Sequence, residues 1–329
     1  MQKNFLSNES FPLFLQGLAA SGDLHGPVLT DDGVMAFRPI CSPADIQLDC
    51  IRTLIPPKKY FFPPKEAILT YSPVKGYQLT KAAGKKVILF GLHPCDLAGI
   101  AYLDRVFLES QPDPLFVKRR KAVTLIGLSC EPDEYCFCGT MGTAEPQNFD
   151  IFMHRTEAGF YLSAGSSRGK KIIRRLSVLL EAREPPSPVP CECKIEETIL
   201  QAATRGETFS ESRLWEDFAG RCLSCGACSL CCPTCYCFDV QERGRLDGET
   251  AERLREWDNC LFKSHGEVAG GHNFRKTREE RFRYRFQHKY LGFGPMRGIV
   301  SCVGCGRCRD VCPVKIDLME LFREKANIL

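Results

Sequence analysis

The sequence predicts an α+β protein, in which an N-terminal α/β domain is followed by a mainly helical domain organised by cysteine-rich loops. Short continuous apolar runs at 87–92 and 123–128 are typical of strands buried in a covered sheet. The proline-rich segment 184–190, EPPSPVP, cannot continue a helix, because proline lacks the amide donor and restricts the residue before it. Beyond this segment, cysteines recur at gaps of two and three residues. We therefore predict domains at 1–183 and 191–329, joined by the segment as a linker.

Composition limits the class of protein. The chain has 329 residues, of which 44% are hydrophobic and 26% charged, as in ordinary globular proteins with room for two cores. The formal net charge of +4 is too small to predict a nucleic-acid or membrane partner by itself. No apolar run approaches the roughly 18 to 20 residues of a membrane span, and the start of the chain predicts an amphipathic helix rather than a signal peptide. The 20 cysteines, grouped at metal-binding spacings, indicate a reducing compartment, and we predict the cytoplasm.

The remaining elements follow from periodicity. Residues 96–108 carry apolar side chains at helical spacing and complete a predicted strand, helix, strand unit with the two apolar runs. A hairpin is predicted from 149–154 and 160–163, and a helix over 170–183. After the linker, helices are predicted at 195–203, 213–219 and 249–258, and a turn at 269–272.

Two cysteine loops, CLSCGACSLCCP from Cys222 and CVGCGRCRDVCP from Cys302, dominate the second domain. In each, three cysteines at two-residue gaps place thiolates around three corners of an iron-sulfur cube, and a fourth follows three residues later, ahead of proline. In two-cluster ferredoxins this fourth cysteine ligates the other cube. The predicted ligands are Cys222, Cys225, Cys228 and Cys312 for one [4Fe-4S] cluster, and Cys302, Cys305, Cys308 and Cys232 for the other. Residues 191–329 are thus predicted to be a two-cluster ferredoxin-type domain.

The alternative for these loops is a pair of structural zinc sites, but a zinc ribbon needs only two CxxC pairs and not three cysteines plus a Cys-Pro, repeated. Segment 233–301, between the loops, is a long insertion for a ferredoxin. Within it, 274–290 holds seven Lys or Arg against two Glu, with aromatics interleaved. This pattern fits a nucleic-acid surface, a solvated helix face, or positive charge set against anionic clusters or an acidic partner subunit.

A third cysteine group lies in the first domain. Cys95 follows the first apolar run and Cys130 the second, with Cys136 and Cys138 close behind. Neighbouring strands of an open α/β sheet deliver their carboxyl ends to one edge, so four thiols are expected to converge there. That number suits a third [4Fe-4S] cluster; a zinc site, or a redox-active pair at Cys136 and Cys138, is the alternative. His93 lies two residues from Cys95 and is the histidine closest to this group in sequence.

The other cysteines are interpreted as buried or structural thiols. They are Cys231 in the first loop, Cys235, Cys237 and Cys260 in the insertion, and Cys41, Cys50, Cys191 and Cys193 elsewhere. The chain contains no GxGxxG, phosphate loop or HExxH pattern. We therefore predict no catalytic residue and no binding motif for a flavin or a hydride carrier in this chain.

Several longer motifs resemble a known family. They are PCDL at Pro94, CEPDEYCFCGTMGT at Cys130, CLSCGACSLCCPTCYCFDV at Cys222, AGGHNFR at Ala269, RFRYRFQHK at Arg281 and CVGCGRC at Cys302. Together they span most of the chain from about residue 85 to 315, and they resemble the iron-sulfur beta subunit of cytoplasmic sulfhydrogenases and the A subunit of anaerobic sulfite reductases.

The resemblance implies a non-catalytic subunit that passes single electrons between a flavin- and NAD(P)-binding reductase subunit and a catalytic subunit. That catalytic subunit would be a nickel-iron hydrogenase, a sulfite reductase or a heterodisulfide-reductase-type module. Two rival functions remain at this stage. One is a self-contained iron-sulfur oxidoreductase with a substrate or flavin site near Cys95 and Cys130, and the other is a redox sensor that binds nucleic acid through 275–289.

Overall fold

The computed structural model describes residues 4–80, 84–185, 214–299, 301–317 and 319–320. Contacts divide the chain into two compact units. Unit 1 takes the described residues of Met1–Pro57, Ala83–Lys194 and Val303–Cys305, and unit 2 those of Lys58–Ala82, Ile195–Cys302 and Gly306–Leu329. From residue 186 the predicted linker lies outside the described residues, as do the helix predicted at 195–203, Cys191 and Cys193. The linker therefore stays a prediction.

The strands, numbered along the described chain, are β1 Asn4–Ser7, β2 Asp23–Leu29, β3 Met35–Pro39, β4 Lys65–Ser72, β5 Gly76–Leu79, β6 Val87–Leu92, β7 Val123–Leu128, β8 Ile151–Thr156, β9 Gly159–Ala164, β10 Glu181–Ala182, β11 Phe238–Gly244 and β12 Ala251–Trp257. The α-helices are α1 Phe11–Ala19, α2 Pro94–Leu108, α3 Pro114–Ala122, α4 Ser167–Arg175, α5 Leu214–Arg221, α6 Ala227–Leu230, α7 Arg278–Leu291 and α8 Arg307–Asp310. Short 3-10 turns occupy Pro43–Asp45, Pro57–Tyr60, Ser177–Leu179, Ser264–Gly266 and Pro295–Arg297.

Unit 1 is built on one large mixed sheet with strand order β10-β1-β9-β8-β7-β6-β2-β3. Strands β2, β6, β7 and β8 pair in parallel, and the outer strands pair antiparallel. The two apolar runs become β6 and β7 at the predicted bounds, and β7 is buried along its whole length. The helix between them is α2, which starts two residues earlier than predicted. The predicted hairpin is confirmed as β8 and β9.

The core of unit 1 packs the first helix onto the sheet. Phe14, Leu15 and Leu18 of α1 are at most 1% exposed and join the cluster of buried side chains that Ile126 of β7 and Met153 of β8 contribute. The predicted N-terminal helix is therefore confirmed. The helix predicted over 170–183 is partly wrong: α4 ends at Arg175, and a 3-10 turn then leads into β10, which pairs with β1.

Unit 2 contains an antiparallel four-stranded sheet of order β11-β12-β4-β5. The helix predicted at 249–258 is wrong, since these residues form β12. The segment AERLREW is rich in helix formers, but β12 pairs with both β11 and β4, and tertiary pairing outweighs local propensity. The expectation of a mainly helical second part is corrected accordingly, and Lys58–Ala82, from the N-terminal half of the sequence, is grouped with unit 2.

The basic segment forms α7, which begins at a capping box between Thr277 and Glu280. The helix predicted at 213–219 is present as α5, and the two helices pack through aromatic rings, with Trp215 stacked on Phe286 at 5.7 Å. Within the described residues, no helix is long and apolar enough to cross a lipid bilayer.

Candidate iron-sulfur centres

The two cysteine loops of the second part repeat one backbone conformation. Ser224 and Gly226 in the first loop have φ values of 52° and 77°, and Gly304 and Gly306 in the second have 62° and 73°. Each loop then enters a single helical turn, α6 or α8. Two left-handed residues at the same positions turn the chain around a common centre, as three cysteines at two-residue gaps require.

Gly226 is constrained by contact as well as by its backbone angles. A Cβ atom at this position would lie 2.3 Å from the amide nitrogen of Asn259 and 2.9 Å from the ring of Phe262. The Asn259 side chain, fully buried, donates a hydrogen bond of 2.7 Å to the Gly226 carbonyl. The insertion between the loops therefore supports the first loop directly.

One cavity in unit 2 gathers the thiols that were predicted to bind the first cluster. Its walls include Cys222, Cys225, Cys228 and Cys312, and Cys308 also reaches it. Its apolar side is formed by Leu261 together with Phe282 and Phe286 of α7, each at most 3% exposed. Such walls exclude water and lower the local dielectric, which strengthens every electrostatic interaction inside.

Backbone amides point at two sulfurs of this set. The Ser224 amide donates to Cys222 Sγ and the Ile316 amide to Cys312 Sγ, both at 3.3 Å. Burial raises the pKa of the Cys222 and Cys228 thiols above the ordinary value. These thiols therefore stay protonated unless a cation takes the place of the proton.

A buried cation adjoins the same cavity. Arg285 of α7 is 4% exposed, lines the cavity and donates to the Cys228 carbonyl at 2.7 Å. Burial alone would lower the pKa of Arg285, but the charges of Cys228 and Cys235 outweigh it and hold the pKa well above the ordinary value. The guanidinium therefore remains positive beside the thiolates.

Cys232, a predicted ligand of the second cluster that lies in unit 2, contacts a lysine of α7. Lys289 Nζ donates to Cys232 Sγ at 3.2 Å, and also contacts Thr234, whose hydroxyl donates to the Ser301 carbonyl at 2.6 Å. A hydrogen bond from the Cys235 thiol, aided by the charge of Lys289, holds the pKa of Cys232 well below its ordinary value. Cys232 is thus prepared to act as a thiolate, the form that binds metal.

Lys58 is a buried cation that sequence reasoning missed. Its ammonium lies 4.3 Å from the centre of the Trp257 ring and donates to the Cys235 carbonyl at 2.9 Å. The residue is 3% exposed, and burial lowers its pKa. Lys58 lies far ahead of the first cysteine loop in sequence, so only the β4 to β12 pairing of unit 2 could have indicated its position.

In unit 1 the sheet edge carries the third cysteine group. Cys130 comes just after the end of β7, and Cys95 lies in the first turn of α2 after β6. Burial, followed by the charges of Cys138 and Cys136, raises the pKa of Cys130 to about 12. Burial and the charge of Cys136 raise the pKa of Cys138 to about 11. The structure thus brings Cys130, Cys136 and Cys138 together and places Cys95 at the neighbouring strand end.

Arg52, a residue that sequence reasoning also missed, holds this loop. Its guanidinium donates to Cys136 Sγ at 3.2 Å and forms an ion pair with Asp133. His93 is 5% exposed and its Nδ1 donates to the Ile51 carbonyl at 2.9 Å, which fixes the start of α2. His93 therefore has a structural role in the described contacts.

The third cysteine group also meets a segment of the second loop within unit 1. The Phe137 amide donates to the Gly304 carbonyl at 2.8 Å, and Thr143 Oγ1 donates to the Val303 carbonyl at 2.7 Å. A Cβ atom on Gly304 would lie 2.6 Å from Cys138 Cα. The motif CFCGTMGT therefore packs against the residues that lead into Cys305, and Cys305 adds to the negative charge felt by Cys138.

In the insertion, Cys237 and Cys260 lie just beyond the paired ends of β11 and β12 and hydrogen-bond to each other. The thiols of Cys231 and Cys260 are buried, as predicted, whereas Cys235 and Cys237 are half-buried and Cys41 is exposed. Across the described ranges, no three His, Cys, Asp or Glu side chains lie close enough together to hold a single metal ion.

Comparison with known proteins identifies the chain's relatives. The family model of a 4Fe-4S dicluster domain matches residues 221–316, and such a domain binds two [4Fe-4S] clusters. A curated relative, the Sulfhydrogenase 2 subunit beta of Pyrococcus furiosus, is 36% identical over 333 residues, which cover 97% of each chain. No solved structure matches the chain.

Proposed function

This chain belongs to the family of sulfhydrogenase beta subunits, and on that premise we propose that it relays single electrons between two other subunits of an oxidoreductase complex. One neighbour would be a flavin- and NAD(P)-binding reductase subunit. The other would be a catalytic subunit, of hydrogenase, sulfite reductase or heterodisulfide-reductase type. The chain itself supplies iron-sulfur electron transfer, and the motifs at Pro94, Cys130 and Ala269 carry the resemblance on which these partners rest.

The observation that supports this proposal most directly is the cavity of unit 2. Cys222, Cys225 and Cys228 line it together with Cys312 from the other loop, so four thiols surround one concave site. Its donor set of sulfur, its apolar walls and the adjoining guanidinium of Arg285 suit an anionic cluster in a dry environment. A [4Fe-4S] cluster held there would accept and return one electron at a time.

The chain's own residues would perform three tasks in this relay. Eight cysteines would ligate the two clusters: Cys222, Cys225, Cys228 and Cys312 the first, and Cys302, Cys305, Cys308 and Cys232 the second. Leu261 and the two phenylalanines of α7 would keep water away from the first of them. Amide and side-chain donors to sulfur, such as those of Ser224 and Lys289, would favour the reduced state.

A third [4Fe-4S] cluster, held by Cys95, Cys130, Cys136 and Cys138, would extend the relay into unit 1. Burial, followed by repulsion from the Cys138 and Cys136 thiolates, raises the pKa of Cys130 to about 12, and both effects favour a positively charged occupant. The position of Cys138 beside Cys305 supports electron exchange with a ligand of the second loop. A redox-active pair at Cys136 and Cys138 is the alternative.

Iron and acid-labile sulfide per chain, measured on anaerobically purified protein together with low-temperature EPR of the reduced form, test the proposal. About eight irons are expected for the two ferredoxin-type clusters and about twelve if the third is present. Fewer than about eight irons, or zinc in their place, would refute the relay. An optical flavin band, or substrate turnover by the isolated chain, would instead favour a self-contained oxidoreductase.

The described contacts of α7 weaken the nucleic-acid alternative. Arg281 and Arg285 are at most 9% exposed and donate to the carbonyls of Leu261 and Cys228. These arginines serve the interior of unit 2 and are not available to phosphates. Steep salt-dependent binding of DNA or RNA, changing with the redox state of the clusters, would be needed to restore that function.

A further inference from the structure

Three side chains near the end of helix α7 contact residues of the cysteine loops. Arg285 and Lys289 are four positions apart and lie on the same side of the helix, whereas Tyr290 follows Lys289 directly and lies roughly 100° further round. Arg285 and Tyr290 are 4% and 6% exposed. This part of the helix therefore packs into the part of unit 2 that contains the predicted ligands.

Arg285 adjoins the ligands of both predicted clusters. It lines the cavity of Cys222 and its partners, and it donates to the Cys228 carbonyl and thiol. Its charge also interacts with those of Cys308 and Cys232, which belong to the second predicted set. Arg285 therefore does not by itself distinguish one cluster from the other.

Lys289 and Tyr290 act on the second set. Lys289 Nζ is 3.2 Å from Cys232 Sγ, so a full positive charge and an N–H donor are applied to one ligand sulfur. The Tyr290 hydroxyl hydrogen-bonds with Cys302. Two ligands of the same predicted cluster thus receive side-chain contacts from adjacent residues of α7.

Two more basic residues adjoin this set, Lys58 in space and Arg307 in sequence. Lys58 donates to the Cys235 carbonyl at 2.9 Å and is close enough to Cys232 for their charges to interact, although burial lowers its pKa. Arg307, between Cys305 and Cys308 in sequence, is 1% exposed, and the corresponding position of the first loop is Ala227. By contrast, apart from the shared Arg285, the donors described for sulfurs of the first set are neutral backbone amides.

We propose that α7 orders the two reduction potentials, so that the cluster of Cys302, Cys305, Cys308 and Cys232 is reduced before the cluster of Cys222, Cys225, Cys228 and Cys312. The inference rests on the proposed function, because it requires both clusters. Reduction adds one negative charge to a cluster, and a nearby cation stabilises the reduced form more than the oxidised one. Charge-assisted donors to sulfur are roughly twice as strong as neutral ones, so Lys289 outweighs an amide donor.

This order determines which of the two clusters holds a single added electron. An electron that enters the dicluster region would come to rest on the cluster beside Lys289, and the cluster beside Phe282 and Phe286 would be the lower-potential member. Lys289 and Tyr290 are positioning residues in this scheme. They act on the potential through ligand sulfurs and contact no substrate.

The test is an anaerobic redox titration of the full-length, cluster-loaded chain, followed by low-temperature EPR. Lys289→Met removes the charge and the donor while keeping a long side chain, and it should move the higher of the two dicluster potentials to a more negative value and leave the lower one in place. Lys289→Arg should restore the wild-type value. The matched control is Arg283→Gln, which removes one positive charge from the same helix at a partly exposed position.

Tyr290→Phe provides a second variant that keeps the packing and removes only the hydroxyl. It should move the same potential in the same direction, by less than Lys289→Met. A Cys136→Ala protein measured in parallel identifies any signal that comes from the α/β domain. This matters because a third cluster would add its own potential to the titration.

Three results of these titrations would overturn the inference. A shift of the lower potential in Lys289→Met would show that the order is reversed, and equal shifts in Lys289→Met and Arg283→Gln would show that α7 acts only through distant charge. Unchanged potentials in both Lys289→Met and Tyr290→Phe would also overturn the inference. Those three results require a loaded protein; an iron content below about eight per chain would instead refute the two-cluster function, and the inference with it.

Discussion

Replacing Glu66 by Gln is expected to lower the free energy of unfolding of unit 2 by about 3 to 5 kcal/mol. Glu66 of β4 faces Arg255 of β12 in the sheet, and their side chains are only 6% and 5% exposed. Arg255 Nε and Nη2 both donate to Glu66 Oε1, at 3.1 and 2.6 Å. Glutamine would remove the carboxylate charge that faces the buried guanidinium, which is the costly way to break a buried ion pair.

Anaerobic urea denaturation followed by tryptophan fluorescence would measure this loss. The chain has two tryptophans, Trp215 and Trp257, and both belong to unit 2. The paired replacement of Glu66 by Leu and Arg255 by Met should recover most of the stability, because it removes both buried charges and keeps the volume.

The neighbouring pair on the same two strands is the control. Lys65 and Glu256 also form an ion pair, but their side chains are 49% and 25% exposed. Lys65→Met should therefore reduce stability by less than about 1 kcal/mol, as for other exposed pairs. If Glu66→Gln were no more destabilising than Lys65→Met, the argument from burial would be wrong.

Four further outcomes are expected. Cys225→Ser should lose about four irons per chain and destabilise unit 2, because cluster binding there contributes to folding; wild-type iron content would exclude Cys225 as a ligand. Cys136→Ala should remove about four irons from a protein that otherwise holds about twelve, and an unchanged count would refute the third cluster. Gly226→Ala should impair loading of the first cluster, measured as sulfide per chain, since a Cβ there meets atoms at 2.3 Å and the φ is 77°; full loading would contradict this. The Cys260 hydrogen bond lowers the pKa of Cys237 to about 7, so alkylation of Cys237 by iodoacetamide should rise through pH 7, and Cys260→Ala, which removes the donor, should move that rise up toward the ordinary value near 8.5; identical profiles would show that the thiol pair is uncoupled.

The local pattern of apolar residues was sufficient to predict much of the secondary structure of unit 1. Strands β6 and β7 are buried apolar runs with helical spacing between them, so sequence alone located both strands and α2. It failed for β12, because Glu252, Arg253 and Arg255 favour a helix locally. Their strand conformation depends on pairing with β4, which lies in the N-terminal half of the chain. No window around β12 contains that information.

For the candidate iron-sulfur centres, too, the sequence predicted what is encoded locally but not the residues that come from distant parts of the chain. Cysteine spacing predicted a set of thiols that line one cavity, since the geometry of a cluster loop is encoded within a short stretch of sequence. Arg52 and Lys58 could not be predicted, because nothing in their neighbourhood distinguishes them from surface cations. For α7, sequence left a solvated face and a face toward anionic clusters equally open, and the burial of Arg281 and Arg285 favours the second.

The grouping of Lys58–Ala82 with unit 2 has a consequence for anyone who divides this gene. A fragment that begins at the proline-rich linker would lack β4 and β5, and β12 would become an edge strand with an unpaired row of amides and carbonyls. The same fragment would lack Lys58 and the carboxylate that neutralises Arg255. The cysteine loops and the hairpin of β4 and β5 therefore have to be kept together in any expressed fragment, although the linear sequence would place them in different domains.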